Sequence, residues 1–240
     1  MYETINTYNA EMTTLMKAII LYSIKTDAME ELKYTLISDG SSDKTLISII
    51  DWVLNANYPT IPIKGQWADL RGFDVKTISE KIKVAEELYP FDILFYHRDA
   101  ESTNVDIIQQ RKEEIRSGIN NNSIFQKTVC VVPIKMMESW LLFDEAAIKK
   151  AAGNRNYRQS INLPALKKIE QISQPKETLH QALKSACGLT GRRLDKFNCN
   201  KAVHLLADYI TDFSPLRSLR AFQEFEKDIK SVVDNMLIAK

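Results

Sequence analysis

The sequence predicts an α/β fold: a parallel sheet flanked by helices, with an all-helical region toward the C-terminus. Short β-prone apolar runs at Tyr34–Ile37, Phe91–His97 and Thr128–Val132 alternate with stretches of helical periodicity. Strands that alternate with helices make parallel β-α units. The alternation fades after about residue 155, and from Leu163 onward only helical patterning remains.

Residues 1–28 read as an N-terminal extension, 29–155 as the α/β domain and 156–240 as a helical subdomain. The apolar run Ala18–Ile24 is short, and its flanks lack the basic region and small-residue cleavage site of a signal peptide. Met29 stands directly before the first strand and is an alternative start to Met1.

Tyr34–Ile37 is the first strand, Gly40 permits a tight turn, and Ser41, Ser42 and Asp43 offer N-cap oxygens to a helix. That helix carries Leu46, Ile47, Ile49, Ile50 and Val53 toward a core. Ile61–Leu70 is a second strand whose Pro62 and Gly65 argue for an edge position or a bulge, followed by a loop with Asp69, Arg71 and Gly72. A helix is expected over Val75–Leu88, stopped by Pro90. The run 91–97 suits a strand buried on both faces. Val105–Ile119 reads as an exposed, charged helix closed by Asn120–Asn122. After the strand at 128–132 and Pro133, residues 135–144 read as helical, and Asp144 caps a helix over 145–152. Helices follow at 164–172, 176–187, 200–211 and 216–237, with Gly191–Arg193 and Asp212–Pro215 between them. Phe222 and Phe225, with Leu216 and Leu219, have the spacing of a packed helix face.

A hydrophobic fraction of 45% in 240 residues is enough for a real core. A net charge of +1 gives no global electrostatic footprint for nucleic acid, so any such face is local or comes from another subunit. Cys130, Cys187 and Cys199 have no paired spacing, which fits reduced thiols in a cytoplasmic protein and no zinc knuckle. No apolar run approaches membrane-spanning length. No Gly-x-x-x-x-Gly-Lys-Ser/Thr loop is present, so ATP hydrolysis would have to come from a partner.

The chemistry-bearing residues are acids. Asp39 and Asp43 follow the first strand, Asp99 and Glu101 follow the strand at 91–97, and Glu138 follows the strand at 128–132. In a parallel sheet these ends share one edge, and carboxylates gathered there repel unless a cation neutralises them. Oxygen ligands suit Mg²⁺ or Mn²⁺, which activates water and stabilises charge on a phosphoryl group. Each acid also has a structural reading: Asp39 as a turn residue, Asp43 as a helix cap, Glu138 as a cap or solvated acid. His97 is either a satisfied buried histidine or a general acid. Arg98 either neutralises the acids or touches substrate. Lys135 either stabilises a developing phosphoryl charge or is solvated. Trp67, Asp69 and Arg71 either pack the rim or contact substrate. Arg192, Arg193, Lys196 and Lys201 form a local basic patch, a solvated face or a set of phosphate contacts.

The turn Asp39-Gly-Ser-Ser-Asp43, the pair Asp99-Ala-Glu101 and the stretch Glu138-Ser-Trp-Leu-Leu-Phe-Asp144 together resemble the TOPRIM superfamily. That superfamily includes topoisomerase and primase catalytic domains and the overcoming-lysogenization-defect nucleases. The third motif resembles small stand-alone members found beside an ATPase in bacterial anti-phage systems. The resemblance covers roughly residues 32–150, with two departures: Asp39 stands where the family usually has Glu, and Glu101 where it usually has Asp. It implies a Rossmann-like TOPRIM sheet and a Mg²⁺- or Mn²⁺-dependent nuclease acting on nucleic acid, DNA favoured, in defence with a partner ATPase and with homo-oligomerisation possible. By motif position Asp99 and Glu101 are metal ligands, Asp39 binds metal or orients water, Asp43 helps hold the metal or the loop, and Glu138 completes the ring. Lys135 joins this catalytic set, and Arg98, Arg192, Arg193 and Lys196 contact nucleic acid. The alternatives are a catalytically weak binding subunit of a defence complex and another Mg²⁺-dependent phosphoryl-transfer enzyme.

Overall fold

Apolar strands buried on both faces need helices on both sides, and the chain supplies them. The structure, a computed structural model, describes residues 31–239; the extension over 1–28 and the start at Met29 lie outside these residues. The strands are β1 (Leu32–Ile37), β2 (Ile63–Trp67), β3 (Ile93–His97) and β4 (Thr128–Val131). All pair parallel, in the order β2-β1-β3-β4. The chain therefore steps from β1 to one side and returns to the other. The crevice outside the carboxyl ends of β1 and β3 is the topological switch point, where open α/β sheets bind ligands.

The register pairs Leu36 with Phe95 and Ile37 with Tyr96. On one face Tyr34 meets Phe95 edge-on at 5.1 Å and donates from its hydroxyl to Asp51 Oδ1 at 2.6 Å on helix α1 (Leu46–Asn57). On the other face Thr35 Oγ1 donates to the Tyr89 carbonyl at the end of α2 (Ile78–Leu88). Every residue of β3 is buried, as its unbroken apolar run predicts. β2 is an edge strand, as Pro62 and Gly65 imply.

The remaining helices are α3 (Ile107–Ser117), α4 (Asn122–Gln126), α5 (Glu145–Ala151), α6 (Pro175–Cys187), α7 (Gly191–Asp195), α8 (Cys199–Tyr209) and α9 (Arg220–Ala239). The core runs without a break from the sheet into the C-terminal helices. Phe225 of α9 lies 6.2 Å from Phe95, and Trp140 lies 5.3 Å from Phe222. Each such side chain removed from water contributes about 1.5–3 kcal/mol. No helix among the described residues is long and apolar enough to cross a membrane.

Several elements differ from the sequence expectation. α2 begins at Ile78 because Thr77 caps it: the Thr77 hydroxyl accepts the Glu80 N–H and the Glu80 carboxylate accepts the Thr77 N–H. α3 is not simply exposed: Ile108, Lys112 and Ile115 are buried, and the Lys112 ammonium is 2.9 Å from Asp228 of α9. The helical stretch expected over 135–144 is a buried 3₁₀ turn, Met137–Leu141, and the expected helix over 164–172 is a 3₁₀ segment, Leu166–Gln171. α4 and α7 are single turns where only punctuation was expected. The last helix starts at Arg220 after a 3₁₀ turn, Ser214–Ser218, whose second residue is Pro215.

Candidate functional site

β3 ends in His97, and its imidazole is the centre around which the acids gather. The ring is 2% exposed. Its Nδ1 is 3.0 Å from the Val131 carbonyl on β4, and its Nε2 faces Asp99 Oδ1 at 3.4 Å and Asp43 Oδ2 at 3.9 Å. Burial disfavours the imidazolium, but the Asp99 hydrogen bond, the Asp99 and Asp43 charges and the Val131 carbonyl outweigh it. The His97 pKa is therefore raised above its ordinary value.

Each acid is held by its own loop. Asp43 sits in the 3₁₀ turn Ser41–Thr45 that leads into α1, and its Oδ2 accepts the Gly40 N–H at 3.0 Å. It is thus both a cap, as its position predicts, and a member of the cluster. Asp99 Oδ1 accepts the backbone N–H of Met137 at 2.9 Å, and the Met137 sulfur accepts from Thr45 Oγ1 at 3.1 Å. Thr45 and Met137 therefore tie the β1, β3 and β4 loops together. Sequence reading passed over both because neither carries a charge. Glu138, next to Met137, is 5% exposed. Burial is the main cause that raises its carboxyl pKa; its own backbone N–H and Lys176 oppose that rise, and the Asp99 and Asp43 charges add to it.

The other predicted residues turn elsewhere. Asp39 pairs with Lys81 of α2, on the opposite face of the sheet. Glu101 has a left-handed backbone with φ of 57° and reaches Arg111 of α3 at 3.2 Å. Arg98 pairs with Glu114 rather than with the acids beside it. Lys135 donates to the Ser173 carbonyl. Trp67 donates from Nε1 to Ser38 Oγ, and Arg71 lies over its ring while pairing with Asp69; the three line an open pocket beside the turn Ser41–Thr45. Arg192, Arg193 and Lys196 are exposed on and just after α7.

The donor set bears on the metal that the resemblance implies. Asp43 and Asp99 present hard oxygens on one side of His97, and one or two carboxylates with waters are enough for Mg²⁺. Among the described residues no group of three or more His, Cys, Asp or Glu is arranged to enclose a metal ion. The two carboxylates are of the donor type that a partly hydrated Mg²⁺ or Mn²⁺ would take, and among the described residues they form no all-protein cage.

Comparison with known proteins returns no matching family model, no matching curated protein and no matching solved structure.

Proposed function

We propose that the chain is a metal-dependent nuclease of TOPRIM type that hydrolyses nucleic-acid phosphodiester bonds, acting in bacterial anti-phage defence with a partner ATPase. The observation that carries this reading is the convergence of Asp43 and Asp99 on His97 at the switch point of a parallel sheet, with the buried Glu138 close enough to feel both charges. Asp43 and Asp99 would hold Mg²⁺ or Mn²⁺. The metal would supply an activated water and charge stabilisation at phosphorus. Glu138, whose carboxyl pKa is raised chiefly by burial, would be the proton donor to the leaving oxygen. His97 Nε2 faces both carboxylates and, when protonated, offsets their repulsion.

The test is cleavage of plasmid DNA, single-stranded DNA and RNA with Mg²⁺ or Mn²⁺, comparing wild type with Asp99→Ala. Metal-dependent cleavage lost in the variant is expected. No cleavage of any polymer by wild type, or equal cleavage by both proteins, overturns the reading. The alternative of a catalytically weak binding subunit draws support from Asp39 and Glu101, two of the motif acids, which are spent on ion pairs outside the cluster. Absence of Mn²⁺ binding at millimolar concentration in a calorimetric titration would favour it.

A further inference from the structure

A groove of about 630 Å³ opens between α5, the C-terminal end of α8 and the loop 153–158. Its chemistry comes from Lys149, Lys150, Arg155 and Arg158 and from two aromatic rings, Tyr157 and Tyr209. The Lys150 ammonium sits 3.9 Å from the Tyr209 ring centroid, and that of Lys149 sits 5.9 Å from Tyr157. The two acids in the wall are already engaged. Asp144 accepts the Ala147 N–H at 2.9 Å as the N-cap of α5, and Glu145 pairs with Lys149 at 2.7 Å and accepts the Ile161 N–H. Lys150, Arg155 and Arg158 are exposed and have no carboxylate partner among the described residues.

The end of a helix attracts cations through its dipole, which accounts for Lys149 and Lys150. It does not account for Arg155 and Arg158, which lie beyond the helix. Their loop is built rather than loose. Gly153 adopts φ of 76°, Asn154 donates from its backbone to the Lys149 carbonyl at 3.0 Å and from its side chain to the Cys187 carbonyl, and Tyr157 N–H bonds the Asn154 carbonyl. In a chain of net charge +1, three unpartnered cations beside two aromatic rings are a local concentration of charge that surface composition does not explain.

We propose that this groove binds a nucleotide unit. Lys150, Arg155 and Arg158 contact the phosphate, and Tyr157 or Tyr209 offers a ring face to the base. The groove lies along the chain from the acidic cleft: Glu138 stands in the turn that leads to Asp144, and α8 packs against the turn that carries Asp43. The proposal rests on the nuclease reading for the source of its ligand, a strand led toward the cleft, with free nucleotide as the other source of the same chemistry.

The experiment measures fluorescence anisotropy of a labelled single-stranded oligonucleotide in EDTA, so that binding is read without cleavage. AMP and ATP serve as competitors. A Lys150→Ala/Arg155→Ala/Arg158→Ala variant should bind about tenfold or more weakly, and its salt slope should fall by about 0.7, the contribution of one single-strand phosphate. Tyr157→Ala should weaken binding without changing the slope. Competition by free nucleotide assigns the groove to mononucleotides; competition by oligonucleotide alone assigns it to a strand. Wild-type affinity in the triple variant, or no binding of either ligand to wild type, overturns the proposal. Should the triple variant melt early, Arg155→Gln/Arg158→Gln, which spares the helix, replaces it. Binding that depends on the groove without any cleavage by wild type would remove only the nuclease reading. Cleavage by wild type with unchanged binding in the triple variant would remove only the groove.

Discussion

His97 and Asp99 stand two residues apart at the end of β3, and their side chains meet, with Nε2 3.4 Å from Asp99 Oδ1. The spacing is the cause. Side chains two apart leave a strand on the same face, and the face of His97 is the face of Phe95, against which α9 packs. α1 covers the same face through Tyr34, so the turn that leads into α1 brings Asp43 to the same imidazole. The Met137 N–H bonds the same Asp99 oxygen, Oδ1, that faces the imidazole. Three loops thus agree on one point before any ligand arrives.

The acids therefore divide into two groups, and activity should divide with them. In metal-dependent cleavage assays, Asp43→Asn, Asp99→Asn and Glu138→Gln should each lower the rate by about a hundredfold or more, the scale of a lost acid–base or charge-stabilising group. Asp39→Asn and Glu101→Gln should stay within about tenfold of wild type, a difference of about 1.4 kcal/mol in barrier. A larger loss at Asp39 than at Asp43 would show that the reacting centre lies on the α2 face instead.

The same parity explains what could be read in advance. The acidic edge was legible because strand ends and loop acids are local features of the sequence. Which acids converge was legible in part: Asp39 continues the Thr35, Ile37 series, and that series faces α2. The motif position of Asp39 gives it the weight of a ligand, whereas the two-residue count along β1 groups it with Thr35 and Ile37. Glu101 could not be placed this way, because its left-handed backbone turns the side chain out of phase with Asp99. The burial of Lys112 was not legible either. A lysine in a charged helix reads as solvated until Glu224 and Asp228, more than a hundred residues on, are known to face it.

Gly65 is required by its cross-strand neighbour. It pairs with Tyr34, and a Cβ there would lie 2.2 Å from the Tyr34 ring and hydroxyl. The ring cannot swing away, because Asp51 holds its hydroxyl and Phe95 its edge. Gly65→Ala should cost about 1–3 kcal/mol in urea unfolding. The same alanine in a Tyr34→Leu background should cost less than about 1 kcal/mol, the coupling expected of residues in contact. Equal costs in the two backgrounds would remove the steric account.

Lys112 joins α3 to α9 from inside, 3.5 Å from Glu224 and 2.9 Å from Asp228. Lys112→Met leaves the two carboxylates facing each other near a buried surface. Loss of one partner from such a pair costs about 3 kcal/mol or more. Adding Asp228→Leu should recover most of the loss, because it removes the more buried carboxylate and leaves only Glu224, which is more exposed to water. If the double variant unfolds as early as the single, the lysine contributes through packing of its stem instead.

Glu226 couples the last helix to pH. It is 7% exposed and accepts from Arg217 Nη2 at 2.7 Å and from Asn57 Nδ2 at 2.9 Å. Burial alone would push its carboxyl pKa up, but Arg217, Asn57 and Lys230 together outweigh burial and lower it below the ordinary glutamate value. In the unfolded chain the same carboxyl titrates near about 4.3. As the pH falls, the unfolded state binds the proton first, so the stabilisation is complete above about 4.3 and drains away as pH falls through the lower folded value. Glu226→Gln should therefore be less stable than wild type by about 1.5–3 kcal/mol at pH 7, the scale of a hydrogen bond to a charged group. The gap between the two proteins should begin to narrow as the pH falls below about 4.3 and should close as it passes the lower folded value. Exposed acids such as Asp212 and Glu80, whose pKa values are also lowered, act alike in both proteins, so the difference between them isolates Glu226. A stability gap that stays constant from pH 7 down to about 3 would show that Arg217 and Glu226 do not act as a charged pair.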